Sequence, residues 1–185
     1  LQKWTSKRTC YVKTFQAPLS VWKRYQRNGY KAVTDQGRQL WRPDGSPDTT
    51  DVDAVIAAVG EGRMVRLGSY GDPMAVPLRV WQALTSRAVG WTGYTHQWRC
   101  TPVGERLRWQ SLVMASADSD ADAVVASHLG WRYFRVMDKG ENPATTLEVR
   151  CPASKEAGVK SSCATCKLCM GTTSKSRKSI AINIH

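Results

Sequence analysis

Apolar and polar positions alternate with two different periods through the middle of this chain. DVDAVIAAV carries apolar residues at helical spacing and is stopped by the glycines of GEG. AVPLRVWQALTSRA repeats that spacing with Pro77 in its first turn, and DSDADAVVASHLG opens on an acidic cap and closes on Gly130. Between these helices MVRLGSY, VGWTGYTH, SLVMASA and WRYFRVM have strand character, with TLEVRC a further strand. Helices and strands that alternate across short loops predict an α/β fold. Its alternating βα units form a mainly parallel sheet or partial barrel, here followed by a C-terminal four-cysteine metal-binding loop.

The flanks read differently. Residues 1–50 form a basic, aromatic N-terminal segment packed on the main domain, residues 51–150 the α/β core, and residues 151–185 a cysteine-rich tail. From Pro18 to Tyr30, Leu19, Val21, Trp22 and Tyr25 are interleaved with Lys23, Arg24 and Arg27, the pattern of a short amphipathic helix with a basic face. Its aromatics could stack on bases, or could form an ordinary core-facing stripe beside a solvated one. RPDGSPDTTD then reads as a loop, with Thr50 or Asp51 able to cap the helix that follows.

Charge sharpens this division. The net charge of +12 is uneven: residues 1–50 hold ten Lys/Arg against three acids, residues 51–150 eleven against eleven, and residues 151–185 six against one. Basic ends on a neutral core suit a surface that meets phosphate, although scattered solubilising lysines would give the same total. A hydrophobic content of 42% with eight tryptophans indicates a packed globule. No apolar run reaches the roughly 18 residues of a bilayer span, so no membrane is expected as a partner. The opening LQKWTSKRTC begins with Leu1 and lacks the apolar core of a secretory signal, so that either upstream residues have been lost or the numbering begins inside a longer chain.

The cysteines carry the most specific signal. Cys163, Cys166 and Cys169 form CxxCxxC, and Cys151 stands upstream at the end of the LEVR strand. A CxxCxxC loop with a remote cysteine followed by proline, here Cys151-Pro152, is the arrangement of a [4Fe-4S] cluster; zinc more often uses two separated CxxC knuckles. Zn²⁺ remains the alternative metal, and disulfides or free thiols the alternative to any metal. Clustering of four of the six cysteines favours a reducing, cytoplasmic setting over a secreted disulfide framework. Cys10 and Cys100 do not fit the spacing and read as small hydrophobes, with Cys10 in a basic context. Lys160, Lys167, Lys175, Arg177 and Lys178 surround the cluster, where they would offset thiolate charge and could face phosphate.

In parallel α/β folds the working residues gather at the carboxyl ends of the strands. Here that edge comprises SYGDP, GYTHQW, ASADSD, the loop at Asp138, and CPAS. Asp72, Tyr94 and His96 are the candidate catalytic residues, as acid, base or ligand facing one pocket; for Asp72 and His96 a helix cap and a loop histidine are the plainer readings. Asp118, Asp120 and Asp122 fall at a helix start and read as capping. The chain has no Walker loop, HExxH, nucleophile elbow or GxGxxG.

Taken together, TCYVKTFQAPLSVWK, RLGSYGDPMAVP, GYTHQW and CPASKEAG…CATCKLC resemble a family of proteins carried by phages, plasmids and proteobacterial genomes, over nearly the whole chain. The resemblance implies a mobile-element origin and a small α/β domain with cysteine ligands, and supplies no activity. More remotely the chain is similar to radical S-adenosylmethionine enzymes with auxiliary clusters, but the CxxxCxxC they require is missing near Cys10. A cluster held by four cysteines would serve structure, redox sensing or electron transfer. The resulting expectation is a metal-cluster protein binding nucleic acid through Lys23, Arg24, Arg27 and the basic residues of the tail. The alternatives are a redox or radical-type enzyme and an interaction module directed at a host protein.

Overall fold

The computed structural model describes residues 17–27, 51–144 and 146–184. Residues 1–49 and 50–185 form two compact units. In the first, helix α1 (Ala17–Gln26) carries Trp22 and Tyr25 stacked with ring centroids 5.5 Å apart. Its Leu19, Val21, Trp22 and Tyr25 are exposed, as are Lys23, Arg24 and Arg27. Cys10, Thr50 and the loop at residues 42–50 lie outside the described residues.

The second unit is the α/β fold that the alternating pattern predicts. Its elements run α2 (Val52–Gly60), β1 (Met64–Leu67), α3 (Leu78–Thr85), β2 (Gly90–Thr95), α4 (Val103–Leu112), β3 (Met114–Ala117), α5 (Asp120–His128), β4 (Tyr133–Met137), β5 (Glu148–Arg150), the single turn α6 (Cys163–Cys166) and β6 (Ser179–Asn183). The strands form one six-stranded sheet in the order β1-β2-β3-β4-β6-β5, parallel at every pairing. Asp51 caps α2, its Oδ1 accepting from the N–H groups of Asp53 and Ala54, and Ser119 caps α5 by accepting from Asp122 N.

Both sheet faces are covered, as parallel sheets require. Alternate residues of the strands (Leu67, Trp91, Ala115, Ala117, Tyr133) pack on one side against Leu78, Trp109, Leu112, Ala123 and Ala126 of the helices. Two of the buried tryptophans, Trp91 and Trp98, satisfy their indole N–H groups on Leu112 O (2.8 Å) and Ser116 O (2.9 Å). The opposite face is apolar too: Met114, Ile180, Tyr94, Phe134 and Val149 meet Cys151, Leu168 and Cys169 of the C-terminal loop. Residues 151–185 therefore supply both a lid for this face and an interior strand, β6.

β6 separates β4 from β5, and an ion pair crosses it. Arg135 of β4 donates bidentately to Glu148 of β5, Nε to Oε1 and Nη2 to Oε2, both 2.8 Å, with both side chains buried. Nη1 also donates to Asp120 (2.6 Å) and to Glu141. The β6 residues in register with this pair are Ser179 and Ala181, whose short side chains leave room for it. Burial acts to raise the Glu148 carboxyl, but hydrogen bonds from Arg135 and from Ala144 N outweigh it and hold the group below its ordinary value. Removing one partner of such a pair strands the other charge. Glu148→Ala is expected to lower stability in urea unfolding by about 3 kcal/mol. A carboxyl lowered in the folded state stabilises above its unfolded pKa, near 4.5, and loses that contribution as pH falls through the folded value. The acid limb of the stability profile should accordingly be shallower in Glu148→Gln than in the parent.

No helix among the described residues is long and apolar enough to cross a membrane.

Candidate metal centre

Cys151 leaves the carboxyl end of β5, its N–H donating to Ala181 O of β6 at 2.8 Å. The CPAS turn then folds back on it: Ser154 N donates to Cys151 O (2.9 Å), and the N–H groups of Ala153 and Ser154 point at the Cys151 sulfur. Such N–H···S contacts favour an anionic sulfur. Further along, Ser162 caps the turn that carries two more cysteines. Its Oγ accepts from Thr165 N (3.3 Å) and its carbonyl from Cys166 N (2.8 Å). Lys167 ends that turn in the left-handed region at φ 53°, which reverses the chain and turns Cys169 inward. Cys169 is buried against Met114 and Ile180.

The four side chains line one cleft. Cys151, Cys163, Cys166 and Cys169 surround it together with Thr92 and Tyr94 of β2, Ile180 of β6, and Leu168. The cleft is narrow, with too little space as it stands for an organic ligand. All four cysteines are free thiols. Among the described residues no three cysteine, histidine or acidic side chains stand close enough to hold one ion as placed.

Protonation follows from the same packing. Burial pushes the Cys169 thiol up to about 12, and the neighbouring cysteines add to that rise while a hydrogen bond donated by Tyr94 opposes it. Burial raises Cys151 as well. The Tyr94 hydroxyl is raised well above its usual range, first by burial and then by Cys169. Burial thus disfavours the thiolate form of Cys151 and Cys169.

The loop is tied down at the amino ends of the strands. Arg132, the residue before β4, is buried and donates to three loop carbonyls: Leu168 (2.8 Å), Gly171 (2.5 Å) and Lys178 (2.6 Å). Lys167 Nζ reaches Val89 O, just before β2, at 2.7 Å, and Thr173 Oγ1 reaches Ser111 O, just before β3, at 2.8 Å. Gly171, at φ 54°, lies so close to α4 that a Cβ would stand 2.3 Å from Gln110 O. The cysteine cleft thus sits over the face of the sheet and toward its amino end; only Cys151 starts from the carboxyl rim where the whole cluster was expected. The residues before β2, β3 and β4 offer a carbonyl or a long side chain there, and the returning chain must end at that edge to enter β6.

The expected catalytic trio is divided. Tyr94 faces the cysteines, whereas Asp72 and His96 stand at the carboxyl rim outside that cleft. Asp72 Oδ1 accepts from Met74 N (2.9 Å) and Thr95 Oγ1 (2.7 Å), and Oδ2 from His96 N (2.7 Å). It caps a 3-10 turn and ties that turn to the end of β2, the plainer of its two readings. His96 Nε2 lies 3.5 Å from Asp118 Oδ1, both side chains well exposed. Asp120 and Asp122 lie in the first turn of α5, paired with Arg135 and Arg99.

Of the basic residues near the cluster, Lys160, Lys175, Arg177 and Lys178 are exposed, but Lys167 is half-buried and its ammonium is engaged by Val89 O, so it acts as a loop anchor. The alternation of polarity did not reveal Arg132: nothing in GWRYF marks an arginine at the mouth of a strand as an anchor for a segment some 40 residues away. No protein-family model, curated protein or solved structure matches this chain.

The hydrogen bond to Asp118, aided by its charge, raises His96 above 6.5 despite partial burial. A group raised on folding stabilises below its unfolded pKa and stops doing so as pH climbs through the folded one. Proton NMR titration should place the His96 midpoint above 6.5, and Asp118→Asn should bring it down; an unchanged midpoint would show that the contact is not made in solution.

Proposed function

We propose that this chain is a metal-cluster protein in which Cys151, Cys163, Cys166 and Cys169 hold a [4Fe-4S] cluster, and in which the basic loop beside it binds nucleic acid. The convergence of four thiols on one tight cleft, with neither histidine nor carboxylate among its lining residues, carries this reading. An all-sulfur set selects zinc or iron–sulfur. The CxxCxxC spacing and the Cys-Pro pair favour the cluster. With all four corners taken by protein sulfur, its role is architectural or redox-sensing: it fastens the loop that lids the sheet and delivers β6. Tyr94, donating toward Cys169, is placed to hold that sulfur's orientation.

Lys160, Lys175, Arg177 and Lys178 form the phosphate-facing surface of the loop, and Lys23, Arg24 and Arg27 a second basic face on α1. This disposition fits the phage- and plasmid-borne family that the sequence resembles, in a cytoplasmic setting that keeps the thiols reduced.

Protein purified without oxygen should be brown, with a broad band near 400 nm and about four irons and four sulfides per chain. Cys169→Ser should lose the colour and unfold at lower urea than the parent. Colourless protein carrying one zinc would replace the cluster by zinc and keep the four ligands. In mobility-shift assays, DNA or RNA affinity should fall steeply with salt, and a triple Lys160/Lys175/Arg177→Gln variant should flatten the log–log slope by about 2 to 3. No shift at low salt would remove the nucleic-acid half of the proposal.

A further inference from the structure

Away from the cysteines, the carboxyl ends of β4, β6 and β5 open into a cavity of about 490 Å³ whose lining includes Lys139, Glu141, Asn142, Arg150, Glu156 and Asn183. Its floor is held rigidly. The buried Asn183 donates from Nδ2 to Asp138 O (2.8 Å) and Glu141 O (3.1 Å), and its Oδ1 accepts from Arg150 Nη1. Arg150 Nη2 donates to Asn142 Oδ1 at 2.9 Å and approaches Glu141 O at 3.4 Å. The guanidinium is therefore fixed by its two terminal nitrogens, and among the described residues its Nε–H has no partner.

The charges around this floor are unequal. Glu141 is turned to Arg135 through Oε1 and to Asp138 N through Oε2 (3.0 Å), so both of its oxygens are engaged. Lys139 has no partner among the described residues, and the other carboxylate on the wall, Glu156, is itself engaged. The lining thus holds two cations and two carboxylates, and the carboxylates are already engaged while the Lys139 ammonium is not. A volume of 490 Å³ lies within the usual range of small-molecule sites, roughly 300–1,000 Å³, and exceeds what a bare ion fills. The position beyond the carboxyl ends of parallel strands is where such folds bind ligands.

From this arrangement we infer that the cavity binds a small organic anion, its carboxylate or phosphate held by Arg150 and Lys139. The preset guanidinium supplies orientation and the lysine supplies charge. Glu156 limits how much negative charge the site tolerates. This site is separate from the cysteine cleft, and neither reading depends on the other.

The test uses the full chain, as isolated, with acetate and inorganic phosphate as probes in ¹⁵N NMR titrations at constant ionic strength. At least one probe should shift the amides of Lys139 to Asn142 and of Asn183 and Ile184 saturably, and the one that saturates identifies the anion class. Lys139→Gln, a change on an exposed side chain, should weaken that binding about three- to fivefold, and Glu156→Gln should not weaken it. Shifts that stay linear for both probes up to ~50 mM, or an affinity unaltered by Lys139→Gln, would overturn the inference.

Discussion

A strand that runs parallel to its neighbour can begin only after the chain has travelled back along the whole sheet, and elsewhere in such folds a helix usually makes that return. Between β5 and β6 the return is made by residues 151–178, whose only helix is one turn long. A segment so poor in internal hydrogen bonds must be ordered by something else. Arg132 does much of this: one buried guanidinium satisfies three carbonyls of the loop at the point where it must turn upward into β6. Burial lowers the Arg132 pKa, yet a guanidinium stays charged over any ordinary pH, so the anchor does not titrate. Lys167 and Thr173 add contacts to Val89 O and Ser111 O, and the apolar packing of Leu168 and Cys169 on the sheet adds to these.

The sheet is thereby given two chemically different ends. Toward its amino end lie thiols, a buried tyrosine and an apolar lid, a low-dielectric setting where neutral sulfur is favoured until a cation arrives. At the carboxyl end lie carboxylates, arginines, amides and His96, nearly all joined in hydrogen-bonded networks. The Arg135–Glu148 pair reaches from this polar end into the sheet and clamps β4 to β5 across β6. The same strand is thus secured from below by Arg132 and from the side by Arg135, two arginines three positions apart that face opposite ends of one problem, the insertion of a late strand into the middle of a sheet.

Helix and strand periods made the α/β class legible from residue order, because each element buries one face and its apolar spacing records that face. The Asp51 cap was legible for the same local reason, since it satisfies N–H groups two and three residues away; for α5 an acidic cap was expected, but Ser119 makes the contact and Asp120 and Asp122 sit in the first turn. Two elements left no such trace. α4 exposes Val103 and Leu107 while burying Gln110, so its polarity does not mark its buried side. β6 has only three apolar residues, Ile180, Ala181 and Ile182, between Ser179 and Asn183, behind a Ser/Lys-rich loop.

The spacing of four cysteines likewise determined that one segment could surround one centre, since CxxCxxC brings its sulfurs together through local turns alone. Which surface that centre would occupy was decided only by tertiary structure. Strand order, and with it the insertion of β6 between β4 and β5, rests on hydrogen bonds between residues far apart in the chain, and no local pattern encodes them. The same holds for Arg132, Lys167 and Gly171, whose importance comes from carbonyls and backbone that approach them from elsewhere in the fold.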